Sequence, residues 1–267
     1  MNAPVSPPLV LMAREGAVLR LTLNRGGARN ALSEGMMAAL QAELDLDAHN
    51  SGSRVIVLAA DGPAFCAGHD LKEMTAHRAD ADKGAAYFTS LFAQCSRLMQ
   101  TIVHHPKPII AEVHGIATAA GCQLVASCDL AVASSSAQFA TPGVNIGLFC
   151  STPMVALSRN VSRKAAMEML LTGEMASAEQ AKDIGLINRV VAPAALRAET
   201  MKLAALIAAK PHATIKTGKD AFYRQLEMPY AEAYDYTSRV MAENMLKADA
   251  QEGICAFVEK RAPKWPE

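Results

Sequence analysis

No sign of charge predominates in this chain: 26 lysine and arginine residues face 26 aspartate and glutamate residues, and the formal net charge is zero. Bulk electrostatics therefore supplies no attraction to nucleic acid or to an anionic membrane surface, and any anion site must be built locally. No apolar run approaches the roughly 18 residues that cross a bilayer. Met1 to Pro8 contains no basic region followed by an apolar one, so no secretory signal is read there. Cysteine is scattered: the six residues Cys66, Cys95, Cys122, Cys128, Cys150 and Cys255 include no C-x-x-C pair and no compact even framework. That pattern excludes a disulfide scaffold and a zinc knuckle, and points to reduced, mostly buried thiols in a cytoplasmic protein. His104 and His105 are adjacent, but neighbours on an extended chain point opposite ways and no third ligand lies nearby, so no metal site is expected. There is no internal repeat and no low-complexity tract.

What is present is a chain of 267 residues, 51% of them hydrophobic, enough for one large domain with a small appendage. Leu9 to Leu23 reads as a hairpin around Arg14-Glu15-Gly16, with Leu19, Leu21 and Leu23 on one face of its second strand. Asn24 to Asn30 is a turn-rich break. Ser33 then caps a helix whose apolar positions Met37, Leu40 and Leu44 keep helical spacing. Strand, turn and helix alternate from there, which predicts an α/β fold with right-handed crossovers. Further helices are predicted over 83–103, 155–160 and 163–171, and a short strand over 185–191. Past Pro193 the chain is rich in Ala, Lys and Glu with no strand signal, so residues 1–193 are read as a core and 194–267 as a helical appendage of three or four helices.

The chain is organised around Ile109–Gly147. A β-branched apolar run passes through the small-residue turn His114-Gly115-Ile116-Ala117-Thr118-Ala119-Ala120-Gly121 into a helix start at Cys122 to Ser127. Such a corner leaves backbone N–H groups unpaired and directed outward, where they can hold an oxyanion. Pro63 to Met74 repeats the device: the apolar strand Arg54 to Ala60 leads into a glycine turn at Ala67-Gly68-His69-Asp70-Leu71.

Together with Leu23-Asn24-Arg25, Arg29-Asn30-Ala31-Leu32, Leu171 to Glu174, Ala181 to Ile187 and Phe257 to Arg261, these segments resemble the crotonase, or enoyl-CoA hydratase/isomerase, superfamily in order and over almost the whole chain. The resemblance implies a ββα spiral core followed by an α-helical trimerisation domain. It implies an acyl-CoA thioester as substrate, with coenzyme A arriving as part of it, no tightly bound cofactor, and a homotrimer or dimer of trimers. Carried over residue by residue, the two oxyanion donors are the backbone N–H groups of His69 and Ala120. The Ala119-Ala120-Gly121 turn replaces the usual three glycines, which is tolerable if φ at both alanines is negative. Arg29, Ala31, Ala67, Gly68, Asp70 and Leu71 are expected to line the coenzyme A groove, with Phe257 and Lys260 near the adenine and phosphates.

The same carry-over places the two hydratase glutamates at Gln123 and Gly143, neither of which transfers a proton at neutral pH. Hydratase activity is therefore expected to be weak, and reinstating both carboxylates is expected to raise it if the pocket geometry has survived. Cys150 and Ser151 fall about where isomerase members keep an acidic residue, with Asn145 close by; Glu73 and the His69 side chain are further candidates, Glu73 read as a solvated helix residue and His69 as a surface or pocket-rim group. An acyl-CoA-binding member without turnover is the alternative. A serine hydrolase is not favoured, because neither Ser127 nor Ser151 sits in a nucleophile elbow.

Overall fold

The computed structural model describes residues 7–265. The amino-terminal stretch read for a secretory signal lies mostly outside them. Strands β1 (Val10–Glu15) and β2 (Val18–Leu23) form the expected antiparallel hairpin, turned at Gly16 with φ +60°. Helix α1 (Glu34–Ala48) starts at Ser33, whose hydroxyl accepts the Met36 N–H, and it buries Met37, Leu40 and Leu44 as their spacing predicts.

From there a unit of long strand, short strand and helix recurs. It runs β3 (Val55–Ala60), β4 (Ala64–Cys66), α2 (Leu71–Ala76) and α3 (Ala85–His104), then β5 (Ile109–Val113), β6 (Ile116–Thr118) and α4 (Ala120–Ser127), then β7 (Leu130–Ser134), β8 (Gln138–Ala140) and α5 (Pro153–Asn160). After α6 (Arg163–Thr172) come β9 (Ala176–Ser177), α7 (Ala178–Asp183) and β10 (Arg189–Val191). The long strands make one sheet in the order β1-β2-β3-β5-β7-β10, parallel except for the β1 hairpin. The short strands stack into a second sheet, β4-β6-β8-β9. Strands of two or three residues are too short to show alternation, so the second sheet left no mark in the sequence pattern. It nevertheless matters most, because β4 and β6 carry the two corners.

Four helices follow Pro193: α8 (Leu196–Ala208), α9 (His212–Gln225), α10 (Tyr230–Met245) and α11 (Ala248–Val258). The expected division at residue 193 does not coincide with the packing. Leu196, Leu203, Ala204 and Ala208 of α8 cover Val18, Val55, Val57, Ile110 and Val132 on the sheet face that α1 and α3 leave open. A parallel sheet must be covered on both faces, so α8 belongs to the core. Helix α9 is tied on by charge: Lys219 Nζ lies 2.7 Å from Asp129 Oδ2, and the Tyr223 hydroxyl donates to Asp129 Oδ1 at 3.0 Å. Helices α10 and α11 bury almost nothing, and Tyr230, Met241, Leu246, Phe257 and Val258 stand exposed.

The entry to β5 is fixed by a buried cation. Lys107 Nζ donates to Asp47 Oδ2 at 2.8 Å, to Asn50 O at 2.7 Å and to Ser53 Oγ at 2.7 Å, joining the start of the organising stretch to the end of α1. Lys107→Met is expected to cost about 3–5 kcal/mol, because it strands the Asp47 carboxylate in the interior. An unchanged urea midpoint in that variant would remove the clamp from this account.

Candidate functional site

The first corner is set by an αL kink. Arg29 and Asn30 have φ of +52° and +51°. Asn30 tolerates this because its buried amide is fully used: Nδ2 donates to Asp61 O at 2.7 Å and to Ala64 O at 2.8 Å, while Oδ1 accepts the Arg25 N–H at 2.8 Å. The kink lets residues 29–32 pair with the corner, Ala67 N–H reaching Arg29 O at 3.1 Å and Leu32 N–H reaching Gly68 O at 2.8 Å. Asp70 then caps α2, accepting from the Lys72 and Glu73 N–H groups, and pairs with Arg25 at 2.7 Å.

The second corner turns at Ala119, with φ +51° and ψ −119°. The condition of a negative φ is therefore not met at this alanine, which holds a glycine-like geometry, and a strained non-glycine φ of this kind costs on the order of 1–3 kcal/mol. The strain is held by the Ala119 N–H bond to Ala140 O at 2.9 Å and by full burial of α4.

The corners touch. A Cβ placed on Gly121 would lie 2.1 Å from Cys66 O, and one on Gly68 would lie 3.0 Å from Ala119 Cβ and 3.6 Å from Ala120 N. Among the described residues, neither the His69 N–H nor the Ala120 N–H finds a backbone acceptor at this junction, and α4 begins without a side-chain cap. Two unpaired donors thus sit on abutting turns, one of them at a helix N-terminus.

Gln123 is buried, and its Oε1 faces Cys95 Sγ of α3 at 4.0 Å. Gly143 is buried in the turn Pro142–Ile146, where a Cβ would meet Leu148 O at 2.4 Å and Cys150 Sγ at 2.9 Å. The expectation that a carboxylate could be reinstated there fails, since the loop has closed over the position. Cys150 is a buried thiol whose pKa burial raises, whereas Ser151 is exposed with Oγ 3.4 Å from Phe149 O. Asn145 is exposed. Burial pushes Cys66, Cys95 and Cys122 up to about 12, so none of them is a thiolate at neutral pH.

Two readings of side chains need correction. Glu73 is not simply solvated: its Oε2 accepts the Glu34 N–H at 3.0 Å and ties α2 to the start of α1. The His69 imidazole is not a rim group, because its Nε2 is wholly shielded and its ring stands edge-on to Phe92 with centroids 5.5 Å apart. Arg29 and Ala31 lie beside Ala67 and Gly68 through the Ala67 N–H bond to Arg29 O and the Leu32 N–H bond to Gly68 O, with Asp70 and Leu71 next along the chain. Phe257 and Lys260 are not brought to them: they lie at the end of α11, which packs on α9 and α10, and among the described residues no hydrogen bond joins them to the corners. Thr141, one residue beyond Ala140, is buried with a hydroxyl that has no partner among the described residues, and it escaped sequence reasoning. His105 is buried, with its ring nitrogens 3.1 Å from Leu44 O and 3.3 Å from Lys107 O.

The enoyl-CoA hydratase/isomerase family pattern matches residues 13–267. The chain belongs to that family. It is 48% identical over 261 residues to the Homo sapiens protein named enoyl-CoA hydratase domain-containing protein 3, mitochondrial, covering 97% of this chain and 84% of that one. Its Xenopus laevis counterpart is 47% identical over 97% of this chain and 86% of its own length. A crystal structure of a Mycobacterium smegmatis enoyl-CoA hydratase superposes with a TM-score of 0.93 at 55% identity, over 97% of this chain and 99% of that one. The fold is thus the family's α/β architecture with its helical C-terminal region. The cytoplasmic expectation is overturned by the relatives' names, which are mitochondrial. Free thiols report a reducing environment and carry no address. Among the described residues no helix is long and apolar enough to cross a membrane.

Proposed function

We propose that this member of the enoyl-CoA hydratase/isomerase family binds an acyl-CoA thioester with its carbonyl oxygen between the N–H groups of His69 and Ala120, and stabilises the enolate that forms there. The observation that carries this reading is the pair of unpaired donors on abutting corners, one at the start of a buried helix. Donors already fixed in place pay no reorganisation when charge develops, and each is worth roughly 3–4 kcal/mol by donor deletion. Coenzyme A enters as part of the substrate, along the groove of Arg29, Ala31, Ala67, Gly68, Asp70 and Leu71. Gln123 can orient a water or the thioester but supplies no proton, so hydration is slow and the chemistry favoured is enolate formation with little acid or base assistance.

The test is Ala120→Pro. Ala120 is the first residue of α4, where a helix tolerates proline, so the substitution removes one donor; it also strains Ala119, whose φ of +51° and ψ of −119° lie outside the range a residue before proline adopts. Turnover of a short acyl-CoA ester is expected to fall by roughly 10² to 10³; a soluble variant with normal activity would place the site elsewhere.

The exposed apolar residues of α10 and α11 support an assembly through these helices, a homotrimer or a dimer of trimers, in which Phe257 and Lys260 would approach a neighbour's groove. Sedimentation velocity at micromolar concentration is expected to show an oligomer, and a stable monomer would contradict it.

A further inference from the structure

A cleft of about 720 Å³ opens between the end of α3, α9 and α10, within the roughly 300–1,000 Å³ of small-molecule sites. Its floor is Lys219, whose side chain is only 7% exposed and whose Nζ is fixed by Asp129 Oδ2 at 2.7 Å, Lys107 O at 3.1 Å and Ile102 O at 3.2 Å. Asp129 follows the last turn of α4, whereas Ala120 opens that helix. The cleft and the Ala120 donor are therefore at opposite ends of α4, separated by roughly the 12 Å length of its eight residues.

Helical spacing brings Lys216, Asp220 and Arg224 of α9 into one wall and Arg239, Glu243 and Lys247 of α10 into the other. Asp220 is committed to Arg224 at 3.1 Å, and Lys247 donates to the uncharged Thr217 hydroxyl at 2.8 Å. Lys216, Arg239 and Lys247 have no ion-pair partner among the described residues, and Glu243 is the one uncommitted carboxylate lining the cleft with them. Three cations against one carboxylate leave an excess of two positive charges, in a chain whose formal net charge is zero. The field reaches His212 at the start of α9, whose imidazole pKa is lowered by burial first and then by Lys107, Arg54 and Lys216. Val103, Pro106, Tyr236 and Val240 add an apolar lining. The exposed residues Tyr230, Tyr234, Met241 and Met245 lie on the opposite face of α10 from Tyr236, Val240, Glu243 and Lys247, so assembly through them leaves the cleft open.

We propose that this cleft binds a small molecule bearing a phosphate monoester or diphosphate group, held between Lys216 and Arg239 and separate from the acyl-CoA groove. A guanidinium forks onto two phosphate oxygens, and an ammonium opposite it acts as a point charge. A phosphate monoester carries close to two negative charges at pH 7 and so matches the excess, whereas a single carboxylate cancels half of it. The organic part of the ligand rests on Val103, Pro106 and Tyr236.

The site is tested by calorimetric titration of the full-length protein with inorganic pyrophosphate, at an ionic strength of about 0.15 M so that diffuse attraction is screened. Wild type is expected to bind one pyrophosphate per chain, and to bind succinate, a dicarboxylate, more weakly. Lys216→Met combined with Arg239→Gln replaces two exposed side chains by uncharged ones of similar length, and is expected to weaken pyrophosphate binding by about tenfold or more. Arg163→Gln combined with Lys164→Met, the same change of charge on the exposed surface of α6, is expected to leave it as in wild type. Saturating butyryl-CoA is expected to leave it unchanged as well. A readout without any variant is acetylation of wild type, which pyrophosphate is expected to slow at Lys216 and not at Lys164. Absence of saturable binding, equal weakening by the α6 variant, equal slowing at both lysines, succinate binding as tightly as pyrophosphate, or displacement by butyryl-CoA each overturns the inference, and none of them touches the thioester placement.

Discussion

Gly121→Ala is expected to lower the unfolding free energy by about 3 kcal/mol or more and to abolish acyl-CoA binding. The added methyl would sit 2.1 Å from the Cys66 carbonyl oxygen and 2.8 Å from both its carbonyl carbon and its Cβ. The first two are backbone atoms of β4 and the Cβ is fixed to that backbone, so no rotamer change relieves the overlap; one corner must move away from the other. Gly218, inside α9, is the matching control, since a Cβ there meets nothing within 4 Å. Gly218→Ala is expected to be neutral, or stabilising by up to about 1 kcal/mol from helix propensity. Denaturation midpoints of the two variants, measured side by side, check the contrast. If Gly121→Ala kept both the wild-type midpoint and its ligand, the corners could not abut as described.

The second large effect concerns hydration. Crotonyl-CoA turnover is expected to lie roughly 10² to 10⁴ below the typical enzymatic rate of about ten per second. The effects of lacking carboxylates at the two positions where the resemblance implies them do not multiply, because groups acting on one water fail as a unit. Gly143→Glu adds no rate, alone or together with Gln123→Glu, because the side chain starts 2.4 Å from Leu148 O and 2.9 Å from Cys150 Sγ. It is expected instead to lower the unfolding midpoint. Gln123→Glu alone folds, its carboxyl facing Cys95 in the buried pocket. A double variant that is stable and hydrates crotonyl-CoA rapidly would show that the Gly143 turn is open, contrary to the structure.

Much of the fold was legible because its longer elements carry strong local signals. The Gly16 hairpin, the Ser33 cap and the apolar stripe of α1 each depend on a few neighbouring residues, and each stands where its pattern placed it. The corners were legible for the same reason, as apolar strands running into small-residue turns. Their contact was not, since nothing in Gly121 announces that Cys66, far away in the chain, will press against it. Nor was the φ of Ala119, which is imposed by its bond to Ala140 and the buried helix behind it, against the residue's own preference. The closure of Leu148 over Gly143 and the capping role of Glu73 are likewise products of tertiary packing. Helix α8 illustrates a different failure: the change of composition at Pro193 marks a change of secondary structure, whereas the core continues past it to cover the second face of the sheet.

The central claim is that the thioester oxygen rests on the N–H groups of His69 and Ala120, and the infrared stretch of that carbonyl reports on it directly. Difference spectra of butyryl-CoA carrying carbon-13 at the carbonyl, taken free and bound, are predicted to show a shift to lower frequency on wild-type protein and a smaller shift on Ala120→Pro. A bound ester whose carbonyl frequency equals that of the free ester, or one shifted equally by both proteins, would contradict the account.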